Sequence, residues 1–332
     1  MIKMKVTKIT FILLSLLFCS CLEKHQQSTL NLFEEDERYK YQLVIPLEIQ
    51  DSTYYFLWDT GCATSFIFKE DLANSLSAIE SNIVKEKFIG VDEVIEGVFE
   101  TKKISCKLGD FHIPILFYID DIGMTEKSSP NQHLLIKGII GQNVISKFNW
   151  LFDFENSKVL ISKQQIEKND SALTIPFVIE NKNDAPSAYL ETDTLLSKFT
   201  IDTGYRFFGT FSPEDSLLYY MRPSLVIADS NINVFLKENY SSIKLPENEK
   251  KVNRFILRDS ININNFIFRN ISIFHRDSYR SANYITANFI FQFEKMYYDS
   301  QNQEISLINY RGDTHPTGNE KELIEYINKR YK

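Results

Sequence analysis

The stretch FLWDTGCATSF at residues 56–66 governs how the rest of the chain is interpreted, because it places Asp-Thr-Gly directly after an apolar run. The apolar residues 56–58 predict a buried strand, and Gly61 allows a tight turn at its end. A single aspartate after a strand is a poor acid–base catalyst. If Asp59 takes part in a reaction, the sequence is expected to contain a second acidic partner.

A second copy of this stretch lies in the other half of the chain. FTIDTGYRFFGTFSPEDSL at residues 199–217 repeats the order of residues 56–72, with an apolar strand, Asp-Thr-Gly, a short segment and a helix start that contains Glu and Asp. The partner of Asp59 is therefore Asp202. Repetition of a whole unit of this kind indicates a duplicated structure.

Another pair of segments repeats in the same order and at nearly the same offset. GIIGQNVISKFNWLFDFENSKVLI at residues 138–161 pairs with YITANFIFQFEKMYYDSQNQEISLI at residues 284–308, so that Asp153 aligns with Asp299. We interpret these two aspartates as turn residues at strand ends rather than as catalysts. Because both repeated segments occur in the same order and at nearly the same offset, the sequence predicts two copies of one structural unit.

Segments rich in Ile, Val, Tyr and Phe, bounded by polar and turn residues, predict strands in both copies, and the chain is expected to be all-β with few short helices. Helices are predicted only near residues 68–76, 213–221 and 319–330. The predicted parts of the body are an N-terminal lobe at 38–163, a polar linker at 164–172, a C-terminal lobe at 173–310, and a tail with a short helix at 311–332.

The N-terminus has the pattern of a secretion signal. Three lysines flank or precede an apolar run at residues 9–18, which is shorter than the roughly 20 residues that span a bilayer, and Ser20 and Cys21 follow it. This resembles a bacterial lipoprotein signal in which residues 1–20 are removed and Cys21 is lipidated; a plain secretory peptide cut nearby is the alternative. The polar residues 21–37 would then form a tether that holds the protein at the cell envelope, facing the periplasm or the cell surface.

Composition and motif content argue against several function classes. A net charge of −7 over 332 residues provides no basic field for nucleic acid. The sequence has no HExxH, GxSxG or GxxxxGK[ST], and its five histidines lack metal-ligand spacing, so no metal or cofactor is expected. Cys62 and Cys106 also lack such spacing, and a disulfide between them is compatible with an oxidising compartment.

Three segments carry a family resemblance: residues 57–61, residues 200–204, and the Ile-Ile-Gly-Gln-Asn at 139–143. They resemble the motifs of the aspartic peptidases, especially the bacterial retropepsin-like and pepsin-like enzymes. The third segment looks like the hydrophobic-hydrophobic-Gly stretch that crosses behind the catalytic loop in that family. The resemblance covers about residues 40–310 and implies a bilobal acid-protease fold, with two closed-barrel-like lobes related by a pseudo-twofold axis within one monomer.

The resemblance also implies an aspartic endopeptidase that cleaves peptide or protein substrates without a cofactor. Asp59 and Asp202 would share a proton, because two adjacent carboxylates do not ionise together easily. The charged carboxylate activates a water for attack on the peptide carbonyl, and the protonated one donates to the carbonyl oxygen.

Four further loop residues are expected to support this pair. Thr60 and Thr203 carry hydroxyls that can bond across the pseudo-twofold axis. Gly61 and Gly204 let the two backbones approach each other closely. The hydrophobic neighbours Trp58 and Ile201 are expected to keep the floor of the site dry.

A flap is expected within EKFIGVDEVIEGVFE at residues 86–100, as a hairpin with Ile89, Gly90 and Val91 at its tip. A surface hairpin without a role in binding is the alternative. The equivalent region of the second lobe shows no recognisable tip.

Three features depart from the family pattern. Cys62 follows the first Asp-Thr-Gly, Tyr205 and Arg206 follow the second, and Ala287 stands where a second hydrophobic-hydrophobic-Gly segment would place its glycine. A cation beside the carboxylates would favour their ionised form and disturb proton sharing. The alternative function is therefore a catalytically inactive, peptidase-like lipoprotein that binds peptides or an envelope partner.

Overall fold

The structure is a computed structural model, and it describes residues 26–32, 42–68, 70–89, 94–119, 136–168, 173–181, 184–192, 195–204, 225–228, 240–245, 253–276 and 283–311. Strands make up 65% of it, which confirms a mostly β protein with few short helices. The lobe boundaries drawn from the sequence stay predictions. Residues 1–20, with the predicted signal, and the predicted helices near 213–221 and 319–330 lie outside the described ranges.

The first half forms a closed six-stranded barrel in the order β2-β3-β8-β4-β7-β6, which a Glu48–Lys107 pairing between β2 and β6 closes. β5 extends the sheet as the outer partner of β6. The strand bounds are β2 Val44–Ile49, β3 Ser52–Trp58, β4 Ser65–Ile67, β5 Glu80–Ile89, β6 Val94–Leu108, β7 Phe111–Ile119 and β8 Ile136–Ile140. β7 shows why these residues form strands, since its side chains alternate between the barrel interior and the surface.

The second half repeats this order of pairings as β12-β13-β18-β14-β17-β16, and β12 pairs back to β16 through Thr192 and Ile263. β15 occupies the place of β5 at the outer edge of β16. The strand bounds are β12 Ser187–Thr192, β13 Leu195–Asp202, β14 Leu225–Ala228, β15 Tyr240–Leu245, β16 Asn253–Ile263, β17 Phe266–Arg276 and β18 Asn283–Thr286. The sequence repeat therefore corresponds to a repeat of strand topology.

A single sheet joins the two halves in the order β1-β10-β9-β19-β20-β11. Its strands are β1 Gln27–Asn31, β9 Asn149–Asp153, β10 Lys158–Ser162, β11 Leu173–Val178, β19 Phe293–Asp299 and β20 Glu304–Tyr310. β9 of the first half pairs antiparallel with β19 of the second, with Phe152 opposite Met296. β1 lies inside the segment predicted to be a tether, so part of that segment belongs to the folded body.

One continuous cluster of buried apolar residues contains side chains from both halves and from this sheet. At its centre, the fully buried Trp58 makes edge-on ring contacts with Trp150, Phe152 and Tyr298, at centroid separations of 5.7, 4.9 and 5.4 Å. Aromatic pairs in this arrangement stabilise a core beyond the area that they bury. The residue that precedes Asp59 is thus packed against strands from both halves.

Helices within the described ranges are confined to α1 Glu70–Ser75, α2 Gln142–Ile145 and α3 Ala287–Ile290. α1 confirms the helix predicted near residues 68–76. α2 and α3 were not predicted because a single turn is too short for helical periodicity to appear in a sequence. None of the described helices has the length and apolar character needed to cross a lipid bilayer.

Asp153 and Asp299 both lie where a strand meets a turn, as interpreted from the sequence. Asp153 Oδ1 accepts a hydrogen bond from the backbone N–H of Asn156 at 3.0 Å, and Asp299 Oδ1 accepts one from Asn302 N–H at 2.8 Å. Asp153 also forms a 2.8 Å ion pair with Lys295 across the joint between the halves. Burial alone would raise the pKa of Asp153, but bonds from Lys295 and Asn156 outweigh burial and lower it.

Asp153→Asn is expected to keep the turn bond but lose the ion pair, and so to lower the free energy of unfolding by about 1 kcal/mol near neutral pH. Because the pKa is lowered in the folded state, this stabilisation is present above the unfolded-state pKa. It disappears as the pH falls through the folded-state pKa. Urea denaturation at about pH 7 and about pH 2 measures the change, with the exposed Glu167→Gln as control. An equal difference at both pH values would contradict the assignment.

Candidate active site

The two Asp-Thr-Gly loops have the same framework. β3 ends immediately before Asp59, and β8 runs parallel to it, so that Asp59 N–H donates to Ile140 O at 3.0 Å. β8 also pairs antiparallel with β4, so β8 lies between the strand that precedes the Asp-Thr-Gly loop and the strand that follows it. In the second half, β13 carries Asp202 at its end, and β18 lies between β13 and β14 in the same way.

Thr60 and Thr203 bind the two loops together through reciprocal hydrogen bonds. The Thr60 hydroxyl donates to Ile201 O at 2.7 Å and accepts from Thr203 N–H at 3.1 Å. The Thr203 hydroxyl donates to Trp58 O at 2.9 Å and accepts from Thr60 N–H at 3.0 Å. Both threonines are fully buried, so each hydroxyl satisfies backbone groups of the other half that water does not reach. We name this set of four bonds the threonine lock.

The lock brings Asp59 and Asp202 together. Asp59 Oδ1 accepts from Gly61 N–H at 2.8 Å and from Gly204 N–H, in the opposite loop, at 3.2 Å. A side chain at Gly61 would overlap the Asp202 carboxylate, and a side chain at Gly204 would overlap that of Asp59. Asp59 and Asp202 retain 8% and 7% of their exposure, so both residues are nearly buried.

The floor of the site is apolar, as expected from the sequence. Trp58 and Ile201, which precede the two aspartates, are fully buried. The hydrogen bonds of the two loops therefore lie against buried apolar residues, in surroundings of low dielectric where such interactions are strong.

Gln142 supports the first loop, and sequence reasoning gave it no role. Its amide donates to Thr60 O at 3.1 Å, and its Oε1 accepts from the Tyr298 hydroxyl of β19 at 3.5 Å. Burial raises the pKa of Tyr298 far above its ordinary value, so the hydroxyl stays a donor. The sequence signal was a glutamine that directly follows the apolar Ile-Ile-Gly. Ala287 occupies the equivalent position in the second half, which therefore lacks this support.

The strand register corrects one expectation from the sequence. Trp58, which precedes the first aspartate, lies opposite Ile140, and its counterpart Ile201 lies opposite Ile285. The residue that follows each of these partners is Gly141 in the first half and Thr286 in the second. The counterpart of Gly141 is therefore Thr286, and the prediction that Ala287 takes the glycine position was wrong by one residue. Thr286 suits this position because it is the N-cap of α3, and its hydroxyl accepts a hydrogen bond from Asn288 N–H at 3.2 Å.

The two body cysteines are free thiols, so no disulfide joins them. Cys62 Sγ donates to Thr64 O at 3.0 Å, and burial together with the negative charge of Asp59 raises its pKa well above the ordinary value. Burial also raises the pKa of Cys106 to about 12. Both side chains are therefore protonated thiols rather than nucleophilic thiolates. Tyr205 and Arg206 lie outside the described residues.

The predicted flap segment is a β-hairpin. β5 and β6 pair in register from Glu80 to Ile89, with Ile89 opposite Val94. Gly90 and Val91 lie outside the described residues, so the position of the tip relative to the aspartates stays a prediction. Below the tip, the Phe88 ring contacts those of Phe66, Phe99 and Tyr118 at centroid separations of 5.2, 5.0 and 5.1 Å.

No protein-family model matches this chain, and no curated protein matches it either. Within the part of the chain that the structure describes, no group of three or more His, Cys, Asp or Glu side chains could hold a metal ion.

Thr203→Val is expected to lower the free energy of unfolding by about 2–5 kcal/mol, because it leaves the buried Trp58 carbonyl and Thr60 N–H without their partner. Thr203→Ser retains the hydroxyl and is the matched control, with an expected loss below about 1 kcal/mol. Urea denaturation followed by tryptophan fluorescence measures both variants. Equal stabilities of the Val and Ser variants would contradict the threonine lock.

Proposed function

We propose that this chain is a single-chain aspartic endopeptidase with a bilobal acid-protease fold, in which Asp59 and Asp202 form the catalytic pair. The threonine lock is the observation that carries the proposal, because it brings two distant, duplicated loops together, with each carboxylate against the glycine of the opposite loop. The repeated ring of strand pairings and the sheet that joins the two halves support the same proposal. Since both aspartates come from one chain, the monomer contains a complete site.

In the proposed mechanism the two carboxylates share one proton. The ionised carboxylate takes a proton from a water bound between them, and that water attacks the carbonyl carbon of the peptide bond. The protonated carboxylate donates to the carbonyl oxygen, and collapse of the tetrahedral intermediate sends a proton to the leaving nitrogen. Gly61 and Gly204 N–H groups orient the Asp59 carboxylate throughout, and the substrate would lie under the β5–β6 hairpin.

Asp59→Asn and Asp202→Asn are each expected to lower kcat by at least about 100-fold, because either change removes one half of the acid–base pair. The assay is digestion of a library of hydrophobic peptides from about pH 3 to about pH 7, followed by mass spectrometry, with and without a pepstatin-type inhibitor. Asp51→Asn is the control, since it neutralises an exposed aspartate in a turn whose φ of 63° asparagine also adopts.

Full cleavage by either active-site variant would contradict the catalytic pair. Peptide binding without cleavage by the wild-type protein would instead favour the alternative, a peptidase-like lipoprotein that holds peptides or an envelope partner. Binding and cleavage can be read in the same experiment, because uncut peptides that remain with the protein are recovered after gel filtration.

We further propose that the protein is anchored to the cell envelope through a lipid on Cys21. Cys21→Ser is expected to move the protein from the membrane fraction to the soluble fraction or to leave its signal uncut, because no thiol remains for lipid attachment. Fractionation of expressing cells and the mass of the N-terminal peptide measure this change. Cys19→Ser is the matched control and should leave the lipid in place.

A further inference from the structure

A cavity opens beside the N-terminal strand, and neither Asp59 nor Asp202 is among its lining residues. It has a volume of about 640 Å³, and its lining comes from three places: the β6–β7 hairpin turn and its flanking residues, the two residues that follow β10, and Gln26. The residues used below are Gln26, Lys107, Asp110, Phe111, His112 and Lys163. None of them belongs to the proposed catalytic machinery.

The charged side chains of the cavity lining are those of Lys107, Lys163 and Asp110. Lys107 pairs with Glu48 at 3.0 Å, and Asp110 is engaged by the Ser28 hydroxyl at 3.0 Å. Lys163 makes no ion pair within the described ranges, and its ammonium lies 5.4 Å from the centre of the Phe111 ring. Lys163 is therefore the cation of the described lining that is available to an anionic group, which a lysine binds as a point charge, and the exposed His112 belongs to the same lining.

The N-terminal strand fixes this cavity close to the predicted lipid. Gln27 pairs with Ser162, and Lys163 N–H donates to Gln26 O at 3.1 Å, so the first described residue of the chain lies at the cavity. Cys21 precedes Gln26 by five residues. Even fully extended, five residues span at most about 18 Å. A lipid on Cys21 would therefore hold the cavity within reach of the headgroup layer.

We infer that this cavity binds the phosphate of an anionic phospholipid headgroup, with Lys163 and His112 as the main contacts and Lys107 at the rim. The inference depends on the proposed lipid anchor and is independent of peptidase activity. Bound in this way, the protein would sit on the bilayer in one orientation rather than swing on a long tether. The lipid and the headgroup contact act as two linked attachments, and paired signals of this kind are what stable membrane binding requires.

The test labels lysines of the full chain, purified with its lipid and reconstituted into vesicles. Neutral phosphatidylcholine vesicles are compared with vesicles that contain about 30% phosphatidylglycerol, at equal ionic strength. An amine-acetylating reagent reports the accessibility of each lysine by mass spectrometry. Lys163 and Lys107 are expected to react at least about threefold more slowly in the anionic vesicles. Lys158, at the opposite end of β10, is the matched control and should react equally in both.

A pair of variants separates a specific site from general proximity to the membrane. Lys163→Glu should abolish the slower labelling of Lys107 in anionic vesicles, whereas Lys158→Glu should leave it intact. Equal labelling in both kinds of vesicle, or slower labelling of Lys107 that persists in Lys163→Glu, would overturn the inference.

Two further outcomes also decide the question. Inorganic phosphate at about 10 mM, added to neutral vesicles, should not slow the labelling of Lys163 beyond a matched chloride control; equal slowing would assign the site to free phosphate and overturn the lipid assignment. The mass of the N-terminal peptide reports the lipid on Cys21. Its absence would overturn the membrane inference while leaving the proposed peptidase activity, measured separately, unaffected.

Discussion

The meeting of the two Asp-Thr-Gly loops depends on hydrogen bonds between the hydroxyls of Thr60 and Thr203 and the backbone of the opposite loop. Each buried hydroxyl both donates to and accepts from the backbone of the opposite half, so neither loop satisfies its own polar groups without the other. Such an arrangement requires two similar loops that meet face to face, which duplication of one unit provides. It also holds two acidic side chains close together in a poorly solvated place, where carboxylates would otherwise be costly to bury.

The two halves share their strand order but not their local supports. Gln142 ties the first loop to Tyr298 of the central sheet, while the second half has Ala287 at that position and uses Thr286 to begin α3. Cys62 places a thiol beside the first loop, and the described residues of the second loop include no cysteine. The two aspartates therefore lie in unequal surroundings, and an unequal pair is expected to place its shared proton preferentially on one member.

The N-terminal strand shows how a long-range contact can outweigh composition. The segment at residues 27–31 is short and mostly polar, and Ser28 is its one buried residue, so its sequence pattern does not predict a strand. They form one because β10 offers an open edge for backbone pairing and because Ser28 bonds to Asp110. This strand also places Gln26, the first described residue, beside the cavity that Lys163 lines.

The amino-acid sequence alone was sufficient for the mostly β class, the duplication, and the association of Asp59 with Asp202, because repeated motifs in a fixed order are a property of the chain itself. The closing of the strands into a ring, the register that makes Thr286 the counterpart of Gly141, the role of Gln142 and the position of β1 required the three-dimensional structure. Each of these depends on contacts between residues far apart in the chain, and the local patterns from which strands and turns are predicted contain no information about such partners.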